Sequence, residues 1–197
     1  MENLKLIIDT STSKLAVGIA KGNKVIYNVQ YEASRKHSEL AAFEVQKALK
    51  KCKIKAKDLD TIVVCNGPGS FTGIRVGLTL GKVMAKALEK KLITLDKLTI
   101  LAPPKGDSLV ILDARANNVY YAFFENGVLK GDLRKDKLNR VEKKINSHKI
   151  VGDTYLLNIK SEPVDIVEKM NLISNLKAPL SNVDSVGAIY LDEKVVD

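Results

Sequence analysis

The chain has 197 residues, 45% of them hydrophobic and 28% charged, enough to bury one sizeable core or two small ones. Its apolar runs are too short to span a bilayer, and the opening MENLKLIIDT lacks a basic segment followed by a long apolar core, so a cytoplasmic protein without a secretory leader is expected. The formal charge of +9 suggests a polyanionic partner, although lysines at helix ends also complement the helix dipole and solvate a surface.

In chain order, Leu4 to Asp9, Leu15 to Ala20 and Val25 to Tyr31 read as three strands of an antiparallel meander, the last two joined across Lys21-Gly22-Asn23-Lys24. Ala41, Val45, Ala48, Leu49 and Cys52 recur at helical spacing, and six lysines fall between positions 47 and 57. A strand from Thr61 to Cys65 leads into Asn66-Gly-Pro-Gly-Ser-Phe-Thr-Gly, and a second helix is predicted over about Gly73 to Lys90. A short strand, Leu92 to Leu95, precedes a short helix to Ala102, and Pro103-Pro104-Lys105-Gly106-Asp107 is the best linker. The domains are accordingly placed at 1–102 and 107–197. Beyond the linker, Leu109 to Leu112 ends at Asp113, and Val119 to Glu125 and Val128 to Leu133 form a hairpin across Asn126-Gly127. Leu138, Val141 and Ile145 suggest one amphipathic helix; Ile166, Met170, Ile173 and Leu176 suggest another, with methionine and leucine as core. Strands, crossover helices and a weaker echo of the same order indicate an α/β fold of duplicated, ribonuclease-H-like halves.

Glycine, proline, Ser70 and Thr72 make residues 66 to 73 a tight turn that can cap a helix, and such a helix start can receive a phosphate or a partner carboxylate. Both the P-loop and the dinucleotide pattern, counted from Gly67, require glycine at 72, where Thr72 stands. Cys52 and Cys65 form no CxxC and no cluster with histidine, and read as buried reduced thiols.

DTST at 9–12, RKHSEL at 35–40, DLDTIVVCNGPGSFTGIRVGL at 58–78, LDKLTILA at 95–102 and LDARANNVYYAFF at 112–124 resemble the TsaB (YeaZ) family. The likeness covers about Leu4 to Gly127 and is faint beyond, with GDTYL at 152–156 and AIYL at 188–191 as remnants of a shortened second half. The resemblance implies an actin-like/Hsp70-like (ASKHA) fold and a non-catalytic place in bacterial tRNA threonylcarbamoyladenosine formation, beside the catalytic paralogue TsaD and with TsaE. It also implies that the first two long helices pack against those of TsaD, or of a second copy when the chain is alone. Interface positions expected on that basis are Arg35, His37, Ser38, Glu39, Arg75, Gly77, Leu78 and Gly81.

The catalytic paralogue holds a metal through HxxxH on a helix. Here His37 is followed four residues later by Ala41 and His148 by Gly152, so no metal site and no catalytic residue is assigned. Asp9, Thr10, Ser11 and Thr12 resemble a first phosphate turn, and with Gly67, Gly69, Ser70 and Asp113 they would mark a vestigial nucleotide site. An Asp-initiated turn satisfied by its own N–H groups explains the same residues. The matching turn, Asp113-Ala114-Arg115-Ala116-Asn117, has no glycine, and Asp113 can instead pair with Arg115. No cofactor is assigned to the chain itself; a nucleotide would belong to the interface of the assembled complex.

Gly77 and Gly81 each cost about 1 kcal/mol relative to alanine inside a helix. Close approach of a partner helix along Val76, Leu80, Met84 and Leu88, or tight packing on the chain's own sheet, would each compensate. On the first of these, Gly81→Leu should abolish pairing and leave the fold intact. Two other functions stand beside the scaffold: an ATPase or metallopeptidase-like enzyme, and an RNA-binding module that uses the Lys47 to Lys57 face to contact tRNA.

Overall fold

The computed structural model describes residues 2–33, 35–145 and 147–191. Three strands, β1 (Leu4–Asp9), β2 (Lys14–Lys21) and β3 (Lys24–Glu32), form the expected meander, and Gly22 takes the positive φ that the hairpin turn requires. Helix α1 (His37–Cys52) then crosses to β4 (Thr61–Cys65), and α2 (Phe71–Ala87) crosses to β5 (Lys91–Leu95). The sheet order is β3-β2-β1-β4-β5, with β4 and β5 parallel to β1. Alternation sorts the side chains: Leu6 and Ile8 of β1, Val17 of β2 and Ile62 and Val64 of β4 join Ala41, Val45 and Ala48 of α1 in one buried cluster.

A short helix, α3 (Lys97–Leu101), opens the second unit, where β6 (Asp107–Asp113), β7 (Asn118–Glu125), β8 (Val128–Lys137) and β9 (Lys149–Gly152) pair in the order β8-β7-β6-β9. The pattern repeats the first sheet less one strand: a three-stranded antiparallel meander with one parallel neighbour of its first strand. This is the duplicated α/β design expected from the sequence, shortened in its second half. Asn126 and Gly127 both adopt positive φ in the β7–β8 hairpin, as a tight two-residue turn demands.

Three expectations are corrected. The helix expected through Leu138, Val141 and Ile145 is only α4 (Leu138–Glu142), and the four-residue β9 after it was not foreseen because so short an apolar run lacks a readable period. Helix α5 (Ile166–Ser174) stops before Leu176, which is 86% exposed and no part of a core. The boundary also differs: among the described residues, those up to Asp96 group with 165–189, and 97–164 group with 190–191, rather than 1–102 and 107–197. Residues 192–197, the end of the expected second domain, lie outside the described residues.

The reason for the altered boundary lies in α5. Its buried Ile166, Val167 and Met170 pack on the first sheet, where Gly18 of β2 leaves room for Val167 that a Cβ would fill. Polar contacts fix its start: Asp165 accepts from the Glu168 N–H at 3.0 Å and from Asn28 Nδ2 at 2.6 Å, while Gln30 accepts from the Ile166 N–H at 3.0 Å. Downstream, the chain runs back over the same unit, with Leu180 N–H donating to Leu92 O at 2.9 Å and Lys82 Nζ to Val186 O at 2.9 Å. Among the described residues no helix is long and apolar enough to cross a membrane.

Candidate functional site

The glycine segment is built to seat α2 on its own sheet. Gly73, Gly77 and Gly81 recur every four residues of α2 and share one helix face, and Gly69 lies four residues earlier, in the turn that leads into the helix. A Cβ on Gly69 would overlap the Ser11 carbonyl, one on Gly73 the Thr10 carbonyl, one on Gly77 the Thr10 hydroxyl, and one on Gly81 the Val64 side chain. The gap so left is used: Ser70 N–H donates to Ser11 O at 2.7 Å, and Thr10 Oγ1 donates to Gly73 O at 2.6 Å. This decides between the two explanations of Gly77 and Gly81. Both face the chain's own β1 and β4, and Leu78 is only 7% exposed, so these three are withdrawn from the outward interface set.

The turn after β1 is likewise occupied by its own atoms. Asp9, Thr10 and Ser11 are buried, Asp9 Oδ1 accepts from the Ser11 N–H at 2.8 Å, and Thr12 Oγ1 accepts from the Lys14 N–H at 3.3 Å. Ser11 Oγ accepts a hydrogen bond from the Cys65 thiol at 3.3 Å, and Ser70 Oγ caps α2 by accepting from Gly73 N–H at 3.2 Å. Gly67, with φ of 101°, sits where a side chain would meet Ile74 and the Ile189 carbonyl. The contacts made by Asp9 and Thr12 with N–H groups two residues on are those of a self-satisfied turn.

In the second unit Asp113 accepts from the Arg115 N–H at 2.7 Å and its guanidinium at 3.3 Å, with Tyr155 Oη donating at 3.4 Å. Arg115, Ala116 and Asn117 all hold positive φ, a left-handed turn made without glycine. Sequence reading missed Asp153, whose Oδ2 accepts from the Asp113 N–H at 2.8 Å. Burial pushes the Asp153 carboxyl above its usual range, the Asp113 charge adds to this, and the backbone hydrogen bond opposes it.

Helices α1 and α2 run in the same direction and touch, and their outward surface carries what the glycine face does not. Phe43, Phe71 and Val83 are 55%, 53% and 59% exposed. The Arg75 guanidinium lies 3.8 Å from the Phe71 ring centroid, and Lys47 Nζ lies 5.9 Å from that of Phe43. Of the expected interface residues, Arg35, Ser38, Glu39 and Arg75 are exposed, whereas His37 is 8% exposed with Nε2 3.3 Å from Lys14 O. His148 packs on Phe123 at 5.1 Å between ring centroids. Phe43 was readable as an aromatic placed among lysines, opposite the Ala41, Val45 and Ala48 stripe; Phe71 was hidden by the glycine motif around it.

Two sheets of one order, the second a strand shorter, make this an actin-like/Hsp70-like (ASKHA) α/β protein. Residues 28–164 match the family model described as "TsaD: tRNA N6-adenosine threonylcarbamoyltransferase". The tRNA threonylcarbamoyladenosine biosynthesis protein TsaB of Buchnera aphidicola subsp. Schizaphis graminum is 28% identical over 192 residues, covering 90% of this chain and 91% of the relative. TsaB of Bacillus subtilis is 35% identical over 131 residues, covering 64% of this chain and 57% of that protein. YeaZ from Pseudomonas aeruginosa shares the fold at a TM-score of 0.77 and 20% identity, over 96% of this chain and 100% of that one. The chain belongs to the family that the TsaD description names, in its TsaB (YeaZ) branch.

Proposed function

We propose that the chain is a non-catalytic, cytoplasmic subunit of the machinery that forms threonylcarbamoyladenosine in tRNA, and that it docks a TsaD-type catalytic partner through the outer face of α1 and α2. The carrying observation is a division of labour on α2: its glycine face is consumed by the chain's own sheet, whereas Phe71, Arg75 and Val83 are exposed, as is Phe43 on the adjoining α1. Exposed aromatic rings stacked with cations, flanked by apolar surface, are what protein interfaces select. Arg35, Ser38 and Glu39 fall at the start of α1 and would form the polar rim; Gly77, Leu78 and Gly81 support the face from beneath.

The self-satisfied turn around Asp9 to Thr12 supports a scaffold over an independent ATPase, and any nucleotide belongs to the assembled complex, where TsaE also joins. Without TsaD, the same apolar face suits a second copy of the chain. The test is co-elution of the full chain with the TsaD-type protein of its host. Phe71→Glu with Val83→Arg should weaken pairing at least about a hundredfold, the scale of two lost hot-spot residues, while circular dichroism and melting stay those of the parent. Pairing that survives both substitutions, or steady ATP turnover by the pure chain, would overturn the reading.

A further inference from the structure

The topology gathers lysines at one end of the first unit. Helix α1 ends at that end with Lys50 and Lys51 in its last turn, and the connection to β4 carries Lys53, Lys55 and Lys57, all five exposed. The sheet register brings Lys24, which opens β3, and Lys91, which opens β5, to the same end, with Lys90 beside it: Lys21 pairs with Lys24 and Leu4, and Thr61 pairs with both Lys5 and Lys91. None of these eight lysines makes an ion pair among the described residues, whereas Lys21 and Lys86 at the same end are held by Glu2 and Asp184. The carboxylates at this end are already engaged in part, Asp58 accepting from the Lys55 N–H at 3.0 Å and Asp60 from the Leu4 N–H at 2.8 Å.

Helix-dipole compensation accounts for only some of this charge. Lys50 and Lys51 lie in the last turn of α1, where a cation is favoured, but the dipole's influence fades within one turn. Lys24, Lys55, Lys57 and Lys91 lie on strand starts and in the connection beyond it, so their convergence has another basis. Across a sheet with strands about 4.8 Å apart, the line from β3 to β5 spans roughly 19 Å, about the reach of a few successive phosphates. From this we infer that the basic end is a docking surface for the phosphodiester backbone of RNA, reading charge and not sequence, and that it lies away from both the turn after β1 and the start of α2.

The inference rests on the proposed function, since the RNA it would hold is the tRNA on which the assembly works. Its test keeps the two apart. The full chain is mixed with the host's TsaD-type protein, and binding of an unmodified tRNA transcript is measured from 50 to 200 mM salt, for the parent and for Lys50→Gln/Lys53→Gln/Lys57→Gln. A charge-matched control carries Lys105→Gln/Lys143→Gln/Lys160→Gln in the second unit. Each phosphate contact contributes about 0.9 to the log–log salt slope on a duplex. The first triple variant should therefore flatten the slope by about 2 to 3 and weaken binding at low salt at least tenfold, with co-elution intact and the control near the parent. Equal losses in both variants would reduce the effect to net charge and overturn the proposal, as would no loss in either. Retention of the parent on anionic phosphatidylglycerol vesicles, lost in the first variant while tRNA binding persists, would assign the surface to a membrane instead. Failure of the parent to co-elute with the partner would count against the proposed function; unchanged tRNA binding with pairing intact would count against the basic end alone.

Discussion

Gly73→Leu and Gly81→Leu are expected to abolish the cooperative fold of the first unit, with no folded baseline in urea at 25 °C. The Cβ of residue 73 would overlap the Thr10 backbone carbonyl, which has no rotamer by which to escape, and that of residue 81 would overlap Val64 inside the core. Overpacking usually costs about 1 to 3 kcal/mol and more where backbone must move, against a total stability of about 5 to 15 kcal/mol for a domain. The alanine variants are more diagnostic because their sign is decided by geometry. A glycine facing outward in a helix gains about 1 kcal/mol on becoming alanine. Gly73→Ala and Gly81→Ala should instead lose about 2 kcal/mol or more, seen as a lower urea midpoint at an unchanged slope. A raised midpoint for either would mean that the glycine face is open, and for Gly81 would restore that position to the docking surface.

The second large effect centres on Lys5, the second residue of β1, which is 1% exposed. Its ammonium donates to Asn171 Oδ1 at 2.9 Å and Ser174 Oγ at 3.2 Å, and also to Asn175 Oδ1, so it fastens the end of α5 to the first sheet without a carboxylate. Lys5→Met would leave the wholly buried Asn171 with neither its oxygen nor its Nδ2 partnered among the described residues. An orphaned buried acceptor costs about 1 to 3 kcal/mol, and the variant should be destabilised by that amount at pH 7. Burial lowers the Lys5 pKa from 10.5. The unfolded chain therefore holds this proton to higher pH than the fold does, and the linkage makes stability rise with pH between the lowered value and 10.5. Urea midpoints of parent and variant should accordingly diverge as pH is raised through that window, the parent gaining. Parallel curves would show that Lys5 is not the group responsible.

Much of the local structure was legible before any coordinates. The bounds of β1 and β4 agree with the sequence reading because a β-branched run between polar turn residues has one comfortable conformation, and Asn126-Gly127 announces its turn through the two positive φ values it tolerates. The family signature, GPGSFTGIR, was also plain. The site was less so. Gly77 and Gly81 fitted a partner helix and the chain's own sheet equally well, and choosing required knowing that Gly69 and Gly73 continue the same stripe over Thr10 and Ser11. Phe71 and Val83 attract no notice in a helix rich in apolar residues until the inward face is known. Asp153 has no motif at all; only the parallel pairing of β9 with β6 brings it to Asp113.

By itself, then, the sequence determined the elements, their order, the duplicated α/β class and the family, since periodicity, turn chemistry and motif spacing are properties of near neighbours along the chain. Only the tertiary structure decided which face of α2 is spent inward, where the units divide and which lysines share one end. Those outcomes depend on contacts between distant residues, such as Lys5 with Asn171, 166 positions apart, and Thr10 with Gly73, 63 apart. Burial and close approach across such distances are set by the packed sheet, and no local pattern records them.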